Sequence, residues 1–178
     1  VDMAKMKIEA LAARAKAKGI SLHQRLVAYL PRYAGLASKV PWLLNLRDML
    51  PGAAKLSEIV AQFSARRSLP RWRSDAFRED AAAFGPEGGR EVVLFADTFN
   101  RWFEKENVVA ALEVLTAAGY RVHMPRPADG ASRPLCCGRT FLSAGLVGEA
   151  KAEVTRVVET YAPFIARGVP VVGLEPSC

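Results

Sequence analysis

Cysteine and histidine are the scarce residues of this 178-residue chain, which holds three of the first and two of the second. So few thiols exclude a disulfide-stapled scaffold, since small domains of that kind are dense in cysteine. No apolar run approaches the roughly 20 residues that a membrane-spanning helix needs. The opening "VDMAKMKIEA" has helical spacing but no apolar stretch of the secretory-signal type. A Gly-rich dinucleotide loop is missing as well. The first residue is Val1 and the last is Cys178, so both ends read as cuts through a longer polypeptide.

Acidic residues are in the minority, 18 against 25 basic, for a net charge of +7. The imbalance belongs to one half: residues 1–90 hold 16 Lys+Arg against 8 Asp+Glu, and residues 91–178 hold 9 against 10. Its densest stretch, with Arg66, Arg67, Arg71, Arg73 and Arg78, reads as a solvated or domain-facing surface. No nucleic-acid-binding motif accompanies it, and no nucleic-acid partner is expected. What is abundant is ordinary globular material, 51% hydrophobic and 24% charged. At this length a chain forms one or two domains and buries roughly 70% of its unfolded surface.

The first half reads as short helices punctuated by Pro and Gly. Asp2 can cap a helix that Gly19 stops, and Ser21 with Gln24 makes a capping box for "LHQRLVAYL". Further helices fit "RYAGLAS", "PWLLNLRDML" and "AAKLSEIVAQF". Trp42, Leu43, Leu46, Met49 and Leu50 are expected to face a core or a neighbouring domain, and "RRSLPRWRSD" to run as an extended connector anchored by Trp72. At "FGPEGGRE" the character changes. "EVVLFADTF" has the continuous apolar composition of a buried parallel strand, "EKENVVAALEVLTAAG" is a helix, "YRVHMP" a second strand, "LVGEAKAEVTRVVETYAPFIARG" a long helix and "VPVVGLEPSC" a third strand. The expected fold is therefore α/β: an N-terminal helical arm over residues 1–85, then a three-layer α/β domain with a small parallel sheet over residues 86–178. Chemistry in such sheets gathers at the carboxyl ends of the strands. Asp97, Thr98, His123 and Cys178 fall there, and the loop of Cys136, Cys137 and Gly138 is long enough to reach the same edge. Asp97, His123, Cys137 and Cys178 are expected to share one pocket.

Two adjacent thiols followed by glycine have two readings. Cys136 and Cys137 can be small packing residues, because free cysteine is often buried. They can also be paired soft ligands, with Gly138 letting the backbone turn tightly around a metal or cluster. A thiol pair acting on a disulfide substrate is a third, weaker reading. It needs a depressed thiol pKa, toward which Arg133 and Arg139 would contribute.

The stretches "PLCCGRTFLSAGLVGEAK" and "VPVVGLEPSC", preceded by "VVLFADTFNRWFEKENVVAALEVLTAAGYRVHMP", resemble the cysteine-rich Cys-Cys-Gly domain of heterodisulfide reductases and of glycolate-oxidase-like iron–sulfur oxidoreductases. The resemblance is greatest to the C-terminal end of large fusions joining an FAD-linked oxidase, a ferredoxin-type segment and this domain, and it covers residues 90–178. "VDMAKMKIEAL" also resembles the sequence that follows the ferredoxin-type segment in those fusions. The resemblance implies an electron-transfer module of an FAD-linked 2-hydroxyacid dehydrogenase or oxidase. Cys136, Cys137 and Cys178 would ligate an iron–sulfur cluster in the intact protein, a cluster that this chain as isolated is expected to lack, with zinc as the runner-up metal and FAD on a domain outside this chain. Its partners would be the FAD-binding and ferredoxin-type domains of the same polypeptide and an electron acceptor, a quinone or a redox protein. The location would be the cytoplasm, or the inner face of the membrane as a peripheral protein. No catalytic side chain is assigned. The family's first-strand cysteine is replaced by Asp97 and Thr98, so a fourth ligand must be Asp97, His123 or a residue outside the chain, or the cluster has been lost. That departure supports an alternative, a metal-free structural or docking domain.

Overall fold

The computed structural model describes residues 2–178. The chain forms two compact units, Val1–Asp75 with Arg139–Ala150, and Ala76–Gly138 with Lys151–Cys178. The division falls ten residues before the expected boundary at 85/86, and a twelve-residue segment beyond the cysteine pair belongs to the first unit. No helix among the described residues is long and apolar enough to cross a membrane.

The first unit is helical, as its punctuation predicts. Helix α1 (Met3–Lys18) is capped by Asp2, whose carboxylate accepts the Lys5 N–H at 3.0 Å, and it stops at Gly19. Ser21 and Gln24 close the capping box of α2 (Leu22–Ala28) with hydrogen bonds of 3.2 and 3.0 Å. The helix α3 (Leu30–Ala37) carries Pro31 in its first turn, where a missing N–H costs nothing. It is followed by α4 (Pro41–Met49) and α5 (Ala53–Ala61). Asn45 accepts the Trp72 N–H at 2.9 Å and donates to the Trp72 carbonyl at 2.8 Å, so the connector is anchored at Trp72 through its backbone. The buried cluster of the unit is Ala28, Phe141, Ala144 and Ala150. Phe141 belongs to the short helix α8 (Arg139–Ser143), and the Thr140 hydroxyl donates to the Ala28 carbonyl at 2.9 Å. The apolar residues of α4 do not form a core: Trp42, Leu43, Met49 and Leu50 are exposed, as are Leu56, Ile59 and Val60 around α5. This unit carries 15 Lys+Arg against 6 Asp+Glu and the second 10 against 12, so the basicity is confined to it.

The second unit is a three-layer α/β structure. Its strands are β1 (Ala83–Phe84), β2 (Arg90–Phe95), β3 (Tyr120–His123) and β4 (Val171–Gly173), in the order β1-β3-β2-β4. The sheet is mixed and not wholly parallel. Strands β2, β3 and β4 are parallel, but β1, a two-residue strand unseen in the sequence, pairs antiparallel with β3. Val92 and Leu94 of β2 pack on one face with Val108, Ala111, Leu112 and Leu115 of α7 (Lys105–Ala117). Val93 and Phe95 pack on the other face with Val157, Tyr161 and Phe164 of α9 (Val147–Ile165). A strand covered on both faces must be apolar at every position, which is why "VVLF" lacks alternation.

Candidate functional site

Strand β2 runs out through buried Ala96 into Asp97, the N-cap of α6 (Thr98–Trp102). One Asp97 carboxylate oxygen accepts the Phe99 and Asn100 N–H groups at 2.9 and 3.1 Å, and the other accepts the Asn100 side-chain amide at 2.6 Å. The side chain is 1% exposed. Asp97 is therefore a structural cap with both oxygens engaged, the kind of acceptor a helix start requires.

The three cysteines meet beside it. The Cys136 sulfur accepts the Gly138 N–H at 3.4 Å, a contact made possible by the left-handed backbone of Gly138 (φ 83°), which a side chain would strain. The Thr98 hydroxyl is hydrogen-bonded to Cys136, and the Cys137 thiol is hydrogen-bonded to both Cys136 and Cys178. Cys178 is placed by a turn at the carboxyl end of β4, its N–H donating to the Glu175 carbonyl at 3.0 Å. The Glu175 carboxylate accepts the Ser177 N–H and hydroxyl at 3.1 and 2.7 Å, which holds its pKa below the ordinary range. None of the three cysteines is in a disulfide.

The hydrogen bonds give the row a polarity. The bond to Cys137 and burial both push the Cys136 thiol far above the ordinary cysteine range. Cys178 moves the other way: the hydrogen bond with Cys137 holds it below that range, against burial and the nearby charge of Asp97. The proton is retained at the buried end and lost most readily at the exposed end.

His123 stands elsewhere. It lies on the α9 face of β3, its ring tilted against Phe164 with centroids 5.0 Å apart and its Nε2 2.9 Å from Glu91, which also faces Arg167 at 3.5 Å. Strand β2 continues two residues past the register position Val93↔His123, which leaves His123 short of the edge. Arg133 is paired with buried Glu153 at 2.7 Å. Of the residues expected in one pocket, the structure brings together Asp97, Cys137 and Cys178, with Cys136 and Thr98, and engages His123 with Glu91.

Three soft donors in mutual contact match the chemistry of a thiophilic metal or cluster. Their arrangement is a hydrogen-bonded row in which Cys137 bridges the other two. Among the described residues no group of three or more His, Cys, Asp or Glu side chains is already spaced around a common point as metal ligands. A cubane takes four thiolates, and this chain supplies three.

A second group of residues, with no signal in the sequence, lies at the carboxyl ends of β2 and β3. There a cavity of about 490 Å³ is bounded in part by Glu79, Arg101 and Tyr161. Glu79 and Arg101 form a bidentate ion pair that lowers the Glu79 pKa, although burial opposes it. Residues 79, 101 and 161 are far apart in the chain and ordinary in type, so nothing in their spacing marks them.

Compared with protein-family models, with curated proteins and with solved structures, the chain matches none.

Proposed function

We propose that this chain is an electron-transfer module of an FAD-linked oxidoreductase acting on 2-hydroxy acids, with Cys136, Cys137 and Cys178 as the protein ligands of an iron–sulfur cluster. The observation that carries the reading is the convergence of all three cysteines at one sheet edge, although one is the last residue of the chain. When bound, the cluster supplies one-electron transfer. The chain's own part is to present thiolates. Cys178 gives up its proton most easily, and Cys136 must lose both its proton and its hydrogen bond to Cys137, so assembly releases protons and is favoured by rising pH. Gly138 keeps the backbone close to the sulfurs, and Thr98 offers a hydroxyl to the Cys136 sulfur, the kind of hydrogen bond that tunes a cluster's potential. The flavin domain, the ferredoxin-type segment and the electron acceptor, a quinone or redox protein, are the partners this reading requires. Zinc held by the same three thiolates and a water is the runner-up metal.

The second reading is a metal-free docking domain. It is favoured by Asp97, which fills the place of the family's first-strand cysteine and is fully used as a helix cap. The exposed apolar residues of α4 and α5, on a unit of formal charge +9, would then contact a neighbouring acidic domain. Anaerobic reconstitution with iron and sulfide separates the two. The electron-transfer reading expects iron and acid-labile sulfide to stay bound through gel filtration with a visible charge-transfer band, and expects Cys137→Ser to abolish both. A folded chain that retains neither refutes it in favour of docking.

A further inference from the structure

We propose that the cavity at the carboxyl ends of β2 and β3 binds a small organic anion, with its oxyanion at Arg101 and Tyr161 and its apolar body against Leu94, Met124 and Leu135. Topology is the first ground. The connection leaving β2 leads to α7 on the Val92 and Leu94 face, whereas the one leaving β3 leads to α9 on the Val93 and Phe95 face. Adjacent parallel strands whose connections diverge to opposite faces leave a crevice between their carboxyl ends, where ligands bind in open α/β sheets. The cavity lies there, bounded by residues 94–96 and 124–127. Its volume of about 490 Å³ is within the range of small-molecule sites, roughly 300–1,000 Å³.

An unsatisfied buried donor is the second ground. The Arg101 side chain is 6% exposed, and its terminal nitrogens are held by Glu79 while its Nε–H has no partner. A buried donor left unpaired costs about 1–3 kcal/mol. Tyr161 lines the same cavity and stands within the electrostatic reach of both Arg101 and Glu79. Burial raises its pKa, so it remains a donor. A buried donor without an acceptor, beside a hydroxyl that keeps its proton, calls for an oxyanion. The ionisable residues of the wall are Glu79, Arg101, Arg126 and Tyr161, and with the tyrosine neutral their formal charge is +1. The remaining wall is rich in Leu, Met, Phe and Pro, which suits an apolar body.

The wall is also built in advance. Arg156 grips the loop after β3, holding Asp129 at 2.6 Å and the Arg133 carbonyl at 2.9 Å, and the Thr160 hydroxyl accepts the Ala128 N–H at 3.0 Å. A loop fixed before binding leaves less ordering to be done by the ligand. None of the three cysteines lines the cavity, so this proposal and the thiol reading stand or fall separately.

Four probes test it on the full chain: benzoate, phenyl phosphate, the neutral isostere benzamide and inorganic phosphate, each titrated while the Met124 methyl resonance is followed by NMR. Benzoate, phenyl phosphate or both should shift that resonance saturably, and which of them does so tells a carboxylate from a phosphate-ester ligand. Tyr161→Phe, which removes only the hydroxyl, should weaken the better probe about tenfold, or about 1.4 kcal/mol. Ala131→Phe, at an exposed wall position, should block binding by filling the cavity. Equal binding of benzamide, a response to inorganic phosphate alone, an unaltered affinity in Tyr161→Phe, or no shift with any probe would overturn the proposal.

Discussion

A thiol's behaviour at this site depends on which side of the hydrogen bond it occupies. Cys137 lies between a cysteine that keeps its proton and one that sheds it, so three chemically identical side chains acquire an order of reactivity. Because the thiolate is the nucleophile, iodoacetamide near neutral pH should label Cys178 first and Cys136 last, as peptide mass spectrometry of timed samples would show. Replacing Cys137 by Ala removes the hydrogen bond that depresses the Cys178 pKa. Labelling of Cys178 should then slow severalfold; an unchanged rate would mean that Cys137 does not set the order. Asp97 offers a contrasting case, a carboxylate whose two oxygens are engaged in capping a helix. Asp97→Ala strips the cap from two backbone N–H groups of α6 and should cost about 1–2 kcal/mol of stability, measured by urea unfolding. Thr98→Cys is the informative partner, since it adds a fourth thiol where a hydroxyl already contacts Cys136. Under the electron-transfer reading it should raise iron retention above that of the unmodified chain.

At the level of elements, the glycine-rich turn between β1 and β2 governs how the sheet edge is closed. Gly85 has φ 83°, and a Cβ there would stand 2.3 Å from the Tyr120 carbonyl oxygen of β3, a fixed backbone atom. Gly85→Ala should therefore destabilise by more than about 1 kcal/mol through strain and lost β1–β3 pairing, seen as a lower denaturant midpoint. The strand it would displace has two residues, too short for any period to register in the sequence, and so the mixed character of the sheet was hidden. Strand β2 was legible for the opposite reason: covered on both faces, it had to be apolar throughout. The apolar stripe of α4 was legible as a stripe, but spacing reports that residues share a face and not what covers it, and Trp42 and Met49 are in fact exposed. His123 shows the same limit. Its place near a strand end was readable, yet the pleat directs it toward Phe164 and Glu91, which only the register reveals. The thiol site could be read because Cys-Cys-Gly is a local pattern. The cavity of Arg101 and Tyr161 could not, being assembled from residues made neighbours by the fold alone.

For the whole molecule, proton binding sets a window of stability. Cys136 and Tyr161 hold their protons to higher pH when folded than when unfolded, so the folded state binds more protons and stability falls as pH rises past the ordinary cysteine and then the ordinary tyrosine range. Cys178 has the opposite sign: its contribution is present above its unfolded pKa and lost as pH falls through the depressed folded value. Unfolding free energies under reducing conditions should thus decline from about pH 9 upward, at no more than about 1.4 kcal/mol per pH unit for each group. The division of the chain makes a second prediction. Residues 139–150 follow the cysteine pair in sequence, but Phe141, fully buried, packs with Ala28 and Tyr29, and Arg32 lies over its ring at 4.7 Å. A chain shortened to residues 76–178 keeps both clusters that cover the sheet and strips every one of these partners from Phe141. Exposing that side chain forfeits about 1.5–3 kcal/mol of apolar burial, enough to unfold a five-residue helix with little stability of its own. In the shortened chain, amide exchange of Phe141–Ala150 should accelerate to near that of free peptide, while Val92–Phe95 retain the protection they have in the full chain. Equal protection of the two segments would show that residues 139–150 do not depend on residues 1–75. Loss of protection in both would show that the sheet needs residues 1–75 to fold.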